Sequence, residues 1–230
     1  MHTHTQLIYL DTNSPLICAT RILDAGQDNV GHYLILDKTV AHVRGGGQLG
    51  DRGRIGDATL LDVRRANDEV RHYVEGVSPV VGANVAVKVD PEFRRRSSRW
   101  HTAGHLLAAA LEHEIPGFAA SAAQQWPTDA WVTGLWAVPI AEDLTQRLQR
   151  FIDDARAADL PVVVKLGDVR TVQIQGHRPV PCGGTHVASI GAIGPLHVED
   201  VRIKKGVLKA RYTCDDEKKD IVFFIGLPSC

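Results

Sequence analysis

The chain has 230 residues, of which 44% are apolar and 23% charged, with a formal net charge of −1. That length can bury a sizeable core in one or two domains, and the balance excludes a disordered or fibrous chain. No apolar run approaches the roughly 18 residues of a membrane span, and Met1-His2-Thr3-His4-Thr5 lacks the basic start and apolar centre of a secretory signal, so a cytoplasmic protein with no membrane partner is expected.

Residues 1–90 read as β. Gln6 to Leu10, Leu16 to Leu23, His32 to Val43, Thr59 to Val63, Glu69 to Val74 and Asn84 to Val89 are short runs rich in β-branched and aliphatic residues. Asp24-Ala25-Gly26, Gly45-Gly46-Gly47, Asn67-Asp68 and Gly76 punctuate them as turns. Short strands at this spacing predict a small antiparallel β-barrel, ending at Asp90-Pro91.

The texture then changes. Ser97 or Ser98 reads as an N-cap, and the Ala/Leu-rich stretch from Arg99 to near Pro116-Gly117 predicts a helix burying Ala103, Leu106, Leu107, Ala110 and Leu111. A second helix is expected over Ala141 to Ala158, with Leu144, Leu148, Phe151 and Ile152 as its stripe. Strands return at Pro161 to Lys165, Thr171 to Ile174, Leu196 to Lys204 and Leu208 to Thr213. The reading is α+β: a barrel domain over 1–90 and, over 91–230, helices packed on an antiparallel sheet. The last fifteen residues, with Ile221 to Gly226 among them, read as a terminal strand or docked tail.

Four cysteines, Cys18, Cys182, Cys214 and Cys230, are too sparse for a disulfide framework. One belongs to a metal-ligand pattern. His101 and His105 are four apart on the predicted helix, so both imidazoles share one face. Cys182 and His186 are again four apart, around Gly183-Gly184-Thr185. Cys and His are common zinc ligands, and glycines let a backbone turn closely about an ion. Either pair alone is weak; together they make a zinc site the better reading.

His-Thr-Ala-Gly-His-Leu-Leu at 101–107 and Cys-Gly-Gly-Thr-His-Val at 182–187 resemble the two signature motifs of the alanyl-tRNA synthetase editing domain and of its free-standing AlaX relatives. Arg44 to Gly53, with Gly45-Gly46-Gly47-Gln48 at its centre, is similar to the glycine-rich motif in the N-terminal barrel of the medium-length AlaX proteins. Asp90, the arginines before His101, and Ile190 to Pro195 followed by Lys204-Lys205-Gly206 fit the same pattern, so that roughly residues 40–215 follow the family's order. The threonyl-tRNA synthetase editing domain shares the ligand framework, but the Gly-Gly-Thr insert and the Gly45–Gln48 motif favour the alanyl branch.

The resemblance implies a zinc-dependent trans-editing hydrolase that cleaves the ester of mischarged tRNA, most simply Ser-tRNA(Ala), with Gly-tRNA(Ala) a further substrate. It implies tRNA(Ala) or tRNA(Thr) as partner; oligomeric state is left open. His101, His105 and Cys182 are expected as firm ligands, and His186 as a fourth or a swinging one. A closed tetrahedral shell usually marks a structural ion. Thr102, Thr185 and Gln48 are candidates for contact with substrate or water, and Gly45 to Gly47 for backbone approach to a phosphate or ribose. Arg94, Arg95, Arg96 and Arg99 before the ligand helix, and Lys204 and Lys205 with Lys209 later, are candidate tRNA-binding cations.

One stretch departs from the family. Phe118 to Trp131 lacks the expected serine-and-aspartate pattern of the amino-acid pocket. If Ser121, Gln124, Trp126 or Thr128 lines that pocket, the acyl group could be threonine-like or a non-proteinogenic β-hydroxy amino acid. Two other classes stand beside hydrolysis: a tRNA-binding module with structural zinc, and a metalloenzyme acting on a small ester.

Overall fold

The computed structural model describes residues 4–12, 14–76 and 80–214. It is α+β, with mostly antiparallel strands and two α-helices among the described residues. The last fifteen residues, read as a terminal strand or docked tail, lie outside the described residues. Among the described residues, no helix is long and apolar enough to cross a membrane. The chain divides into two compact units. The first comprises Met1–Ser98, Val164–Val172 and Val180–Thr185; the second comprises Arg99–Val163, Gln173–Pro179 and His186–Cys230.

In the first unit six strands pair cyclically. Ile17–Gln27 pairs with His32–Leu36, then come Glu69–Glu75, Ala58–Ala66, Gly53–Ile55 and Asn84–Val89, and the last returns to the first. Alternation along these strands sends Ile22, Leu34, Leu36, Leu60, Val63 and Val87 into a shared core.

Three β expectations need correction. Gln6 to Leu10 is strand only at Gln6–Leu7, and Ile8–Leu10 form a 3-10 turn. Asp24-Ala25-Gly26 is no turn. It lies inside Ile17–Gln27, where the register shifts between Ile22 and Asp24 and Asp24 Oδ1 accepts the Ala25 N–H at 2.8 Å. A bulge has turn-like chemistry without reversing the chain. His32 to Val43 is also not one strand, because pairing stops at Leu36 and resumes only for Lys38–Thr39.

The long helix α1 spans Pro91–Glu114. It begins before the serines expected to cap it. Asp90 Oδ1 accepts the N–H groups of Glu92 (2.9 Å) and Phe93 (3.1 Å), and Pro91 takes the first helical position, where its missing N–H costs nothing. The expected apolar face of Ala103, Leu106, Leu107, Ala110 and Leu111 is fully buried.

In the second unit four antiparallel strands run in the order Leu196–Lys204, Val207–Cys214, Asp129–Leu135, Ala122–Trp126. Leu208, Ala210, Tyr212, Val132 and Ala130 point to the buried side. Tyr212 anchors α1 to this sheet by donating its hydroxyl to the Trp100 carbonyl at 2.9 Å. The second helix α2, Leu144–Ala157, is slightly shorter than expected and buries Leu144, Leu148 and Ile152. Its Gln149 accepts the Val198 N–H (3.0 Å) and donates to the Leu196 carbonyl (2.9 Å), covering an otherwise open sheet edge.

Candidate metal centre

The helical period of α1 brings His101 and His105 together, with ring centroids 5.0 Å apart. His186 arrives from the loop after Cys182, its ring 4.6 Å from that of His101 and 5.1 Å from that of His105. The ligand atoms of these three histidines lie within 4.8 Å of one another. Cys182, four residues ahead of His186, completes a group of four side chains that could hold one metal ion.

Burial pushes the His105 imidazole down to about 4, which keeps it in the neutral form a metal requires. The Cys182 thiol is raised by burial. The Gly184 N–H, 3.4 Å from its sulfur, and then the Arg170 guanidinium oppose that shift.

Thr102, fully buried on α1, is bound to the histidine loop at two points. Its Oγ1 lies 3.2 Å from His186 Nδ1 and accepts the Val187 N–H at 3.2 Å. With Nδ1 so engaged, Nε2 is the His186 nitrogen left for a metal, and the ring orientation is fixed. Thr102 therefore orients a candidate ligand.

In the first unit Gly45 and Gln48 exchange backbone hydrogen bonds of 3.1 and 3.0 Å, so Gly46 and Gly47 form a two-residue turn. Both have left-handed backbones (φ 57° and 83°), which glycine adopts without penalty. The turn aims Gln48 inward, where it is buried. Its carboxamide grips Thr185 twice: Nε2 donates to Oγ1 at 2.8 Å, and Oε1 accepts the Thr185 N–H at 2.9 Å. Ser98 Oγ shares a 2.7 Å hydrogen bond with Thr185 Oγ1. Ser98, expected as a helix cap, thus belongs to the support of the ligand loop. Gly183 and Gly184 are not left-handed, and a Cβ at Gly183 would meet nothing within 4 Å. Glycine at 183 leaves space; it does not permit a special turn.

The arginines expected on tRNA divide. Arg94 is buried against Asp51: its Nε lies 2.9 and 3.1 Å from the two carboxylate oxygens, and its Nη2 also donates to Asp51 and to the Val40 carbonyl (2.6 Å). The structure thus places the Arg94 guanidinium in the interior, paired with Asp51, rather than on an exposed basic face. Arg95 is exposed and pairs with Glu92 at 2.6 Å. Arg96 and Arg99 are half-buried, and Arg99 Nε donates to the Ile193 carbonyl at 3.1 Å.

Cross-strand register sets Arg202 beside Lys209, Arg211 beside Trp131, and Lys204 beside Val207. All lie opposite the buried face, so four cations and an indole share the solvent side of the sheet. Lys209 Nζ sits 4.2 Å over the Trp131 ring. Lys205 occupies the adjoining turn with φ 51°.

The segment expected to line a pocket is a hairpin, Ala122–Trp126 and Asp129–Leu135. Exposed Ser121 donates its N–H to the Thr133 carbonyl at 2.8 Å, and Gln124 Nε2 donates to the Asp129 carbonyl at 2.8 Å. Thr128 is exposed at the turn, and Trp126 is half-buried. Gln125 is the residue facing α1. It is buried, and a Cβ on Gly104 would come within 2.8 Å of its Cγ and 2.9 Å of the Tyr212 hydroxyl. The close approach explains a glycine between the two helix histidines. In the sequence, only the alternation of Ala123, Gln125 with Ala130, Val132 hinted at it.

No family model matches the chain. Among curated proteins it is similar to an alanine–tRNA ligase of Methanopyrus kandleri, 28% identical over 240 residues (92% of this chain, 26% of the ligase). The alanine–tRNA ligase of Pyrobaculum neutrophilum is 31% identical over 216 residues (80% and 24%), and that of Trichormus variabilis 32% identical over 193 (72% and 22%). The chain spans about a quarter of the length of these relatives.

Proposed function

This chain is homologous to a segment of the alanine–tRNA ligases, and we propose that it is a trans-editing aminoacyl-tRNA deacylase of the AlaX type, hydrolysing the ester of tRNA(Ala) charged with the wrong amino acid. Serine is the simplest acyl group, and glycine the next. None of the relatives named supports tRNA(Thr) as partner.

The observation that carries the proposal is the meeting of His101, His105 and His186, joined by Cys182, in a chain related to these ligases. A thiolate and three neutral imidazoles suit zinc. The fixed His186 Nδ1 supports His186 as a full member of the set. When bound, zinc would supply a Lewis acid beside the ester; with all four side chains as ligands, an acidic coordinated water would require the shell to expand to five or one ligand to loosen. The chain's own part is orientation: Thr102 holds the His186 ring, while Gln48 and Ser98 hold Thr185. The Gly46-Gly47 turn is the proposed approach for the terminal ribose or a phosphate. Arg202, Lys204, Lys205 and Lys209 are the proposed contacts for tRNA phosphates, with the half-buried Trp131 among them. Because Ser121 and Gln124 serve their own hairpin, Gln125 is the better candidate for reading the acyl group.

The test is to incubate the purified protein with Ser-tRNA(Ala), Gly-tRNA(Ala) and Ala-tRNA(Ala), with and without chelator. Release of serine that stops on metal removal and in Cys182→Ala supports the proposal. Binding of tRNA without release would instead make the chain a binding module with a structural ion.

A further inference from the structure

Cys182 ends a short ladder. Thr171 and Val172 pair with Pro181 and Val180, and the Cys182 N–H continues this pairing by donating to the Arg170 carbonyl at 3.1 Å. The Arg170 side chain then returns to the same residue, its Nη1 donating to the Cys182 carbonyl at 2.6 Å. Its Nε donates to the Leu10 carbonyl at 3.0 Å. One arginine therefore fixes the peptide on either side of Cys182 and ties it to the turn Ile8–Leu10.

This clamp sits immediately ahead of two glycines. Gly183 and Gly184 are the residues with the most backbone freedom to lose, so the chain beyond Cys182 resists ordering more than any other sequence would. Anchoring the Cys182 peptide from both its N–H and its carbonyl sets the Cα–Cβ direction, and hence where the sulfur points, before that freedom begins. Arg170 is only half-buried, and its planar fork gives each of two carbonyls its own nitrogen, where a lysine would have a single nitrogen for both.

We propose that Arg170 is a positioning residue for the metal centre, acting through Cys182 to hold its thiol in ligand position. The proposal rests on the reading that Cys182 is a metal ligand, and goes beyond it by assigning the residue that presents the ligand.

The test uses the whole chain loaded with zinc or with cobalt(II). Competition against a chromophoric chelator should show Arg170→Ala holding zinc about 10–100-fold more weakly than wild type, the range usual for groups that orient ligands. The cobalt(II) form should lose intensity in its thiolate charge-transfer band while keeping its histidine-dominated visible bands. Arg170→Lys should fall between Arg170→Ala and wild type on both measures. Wild-type zinc affinity and an intact thiolate band in Arg170→Ala would overturn the proposal. If Arg170→Ala does not fold, wild-type affinity in Arg170→Lys would overturn it equally. Failure of the wild type itself to bind zinc, or an unchanged cobalt spectrum in Cys182→Ala, would defeat the metal reading, and this proposal with it.

Discussion

Thr102 and His186, 84 positions apart in the chain, meet through a 3.2 Å contact between hydroxyl and Nδ1, and the same hydroxyl accepts the next backbone N–H of the loop. A side chain inside the His-Thr-Ala-Gly-His motif thus sets the ring direction of the other motif's histidine. Thr102→Val keeps the shape and removes both hydrogen bonds. It is expected to weaken zinc binding about tenfold or more, with α1 still formed, whereas Thr102→Ser should stay near wild type. Chelator competition alongside far-ultraviolet circular dichroism checks this, and unchanged affinity in the valine variant would refute the assigned role.

The buried pair of Arg94 and Asp51 makes a stability prediction. Asp51 is fully enclosed and also accepts the His42 N–H at 2.6 Å. Removing Arg94 leaves a carboxylate with no solvent and no counter-charge, which costs about 3–5 kcal/mol in comparable sites. Arg94→Ala should lower the unfolding free energy, measured in urea, by that much, and Asp51→Asn should be similarly damaging. A variant within about 0.5 kcal/mol of wild type would show that the pair is not what it looks.

Acid should unfold the first unit through two histidines outside the metal centre. Burial holds both His42 and His72 near pKa 4, below the ordinary value of 6.5. The unfolded chain therefore binds more protons, so the stability these residues contribute is complete above pH 6.5. It is lost progressively as pH falls from about 6.5 to about 4, by on the order of 3 kcal/mol for each. His72→Gln, which no longer titrates, should move the acid midpoint to lower pH. An unmoved midpoint would place the acid sensitivity elsewhere.

These residues also show what a sequence can and cannot reveal. His101, His105, Cys182 and His186 are legible because each pair has a local spacing that already encodes geometry. The burial of Leu106 and Leu107 is legible for the same reason. Arg94 looks like part of a basic patch because its partner Asp51 is 43 residues away, and charge alone does not say which arginine is buried. At the start of α1 two serines outrank Asp90-Pro91 as a capping signal, although Asp90 makes the cap. The Ala122–Trp126 strand carries little β signal, and its pairing with Asp129–Leu135 organises it. Tertiary partners decide each of these cases.

If the sheet face binds tRNA, its cations should differ in a way their pairing foretells. Arg202 is 2.7 Å from Asp200, and Arg211 is 2.5 Å from Asp129. Each brings its own counter-charge, so truncating either exposes an acid as well as deleting a base. Lys204 is exposed at the end of its strand, and Lys205 beside it in the turn. A cation that neutralises one phosphate contributes about 0.7–0.9 to the slope of log affinity against log salt. Lys204→Ala and Lys205→Ala should each flatten the slope for tRNA by about that amount. Arg94→Ala should leave it unchanged, since its guanidinium faces Asp51. A slope that responds to Arg94 but not to the lysines would move the RNA surface from this sheet to the start of α1.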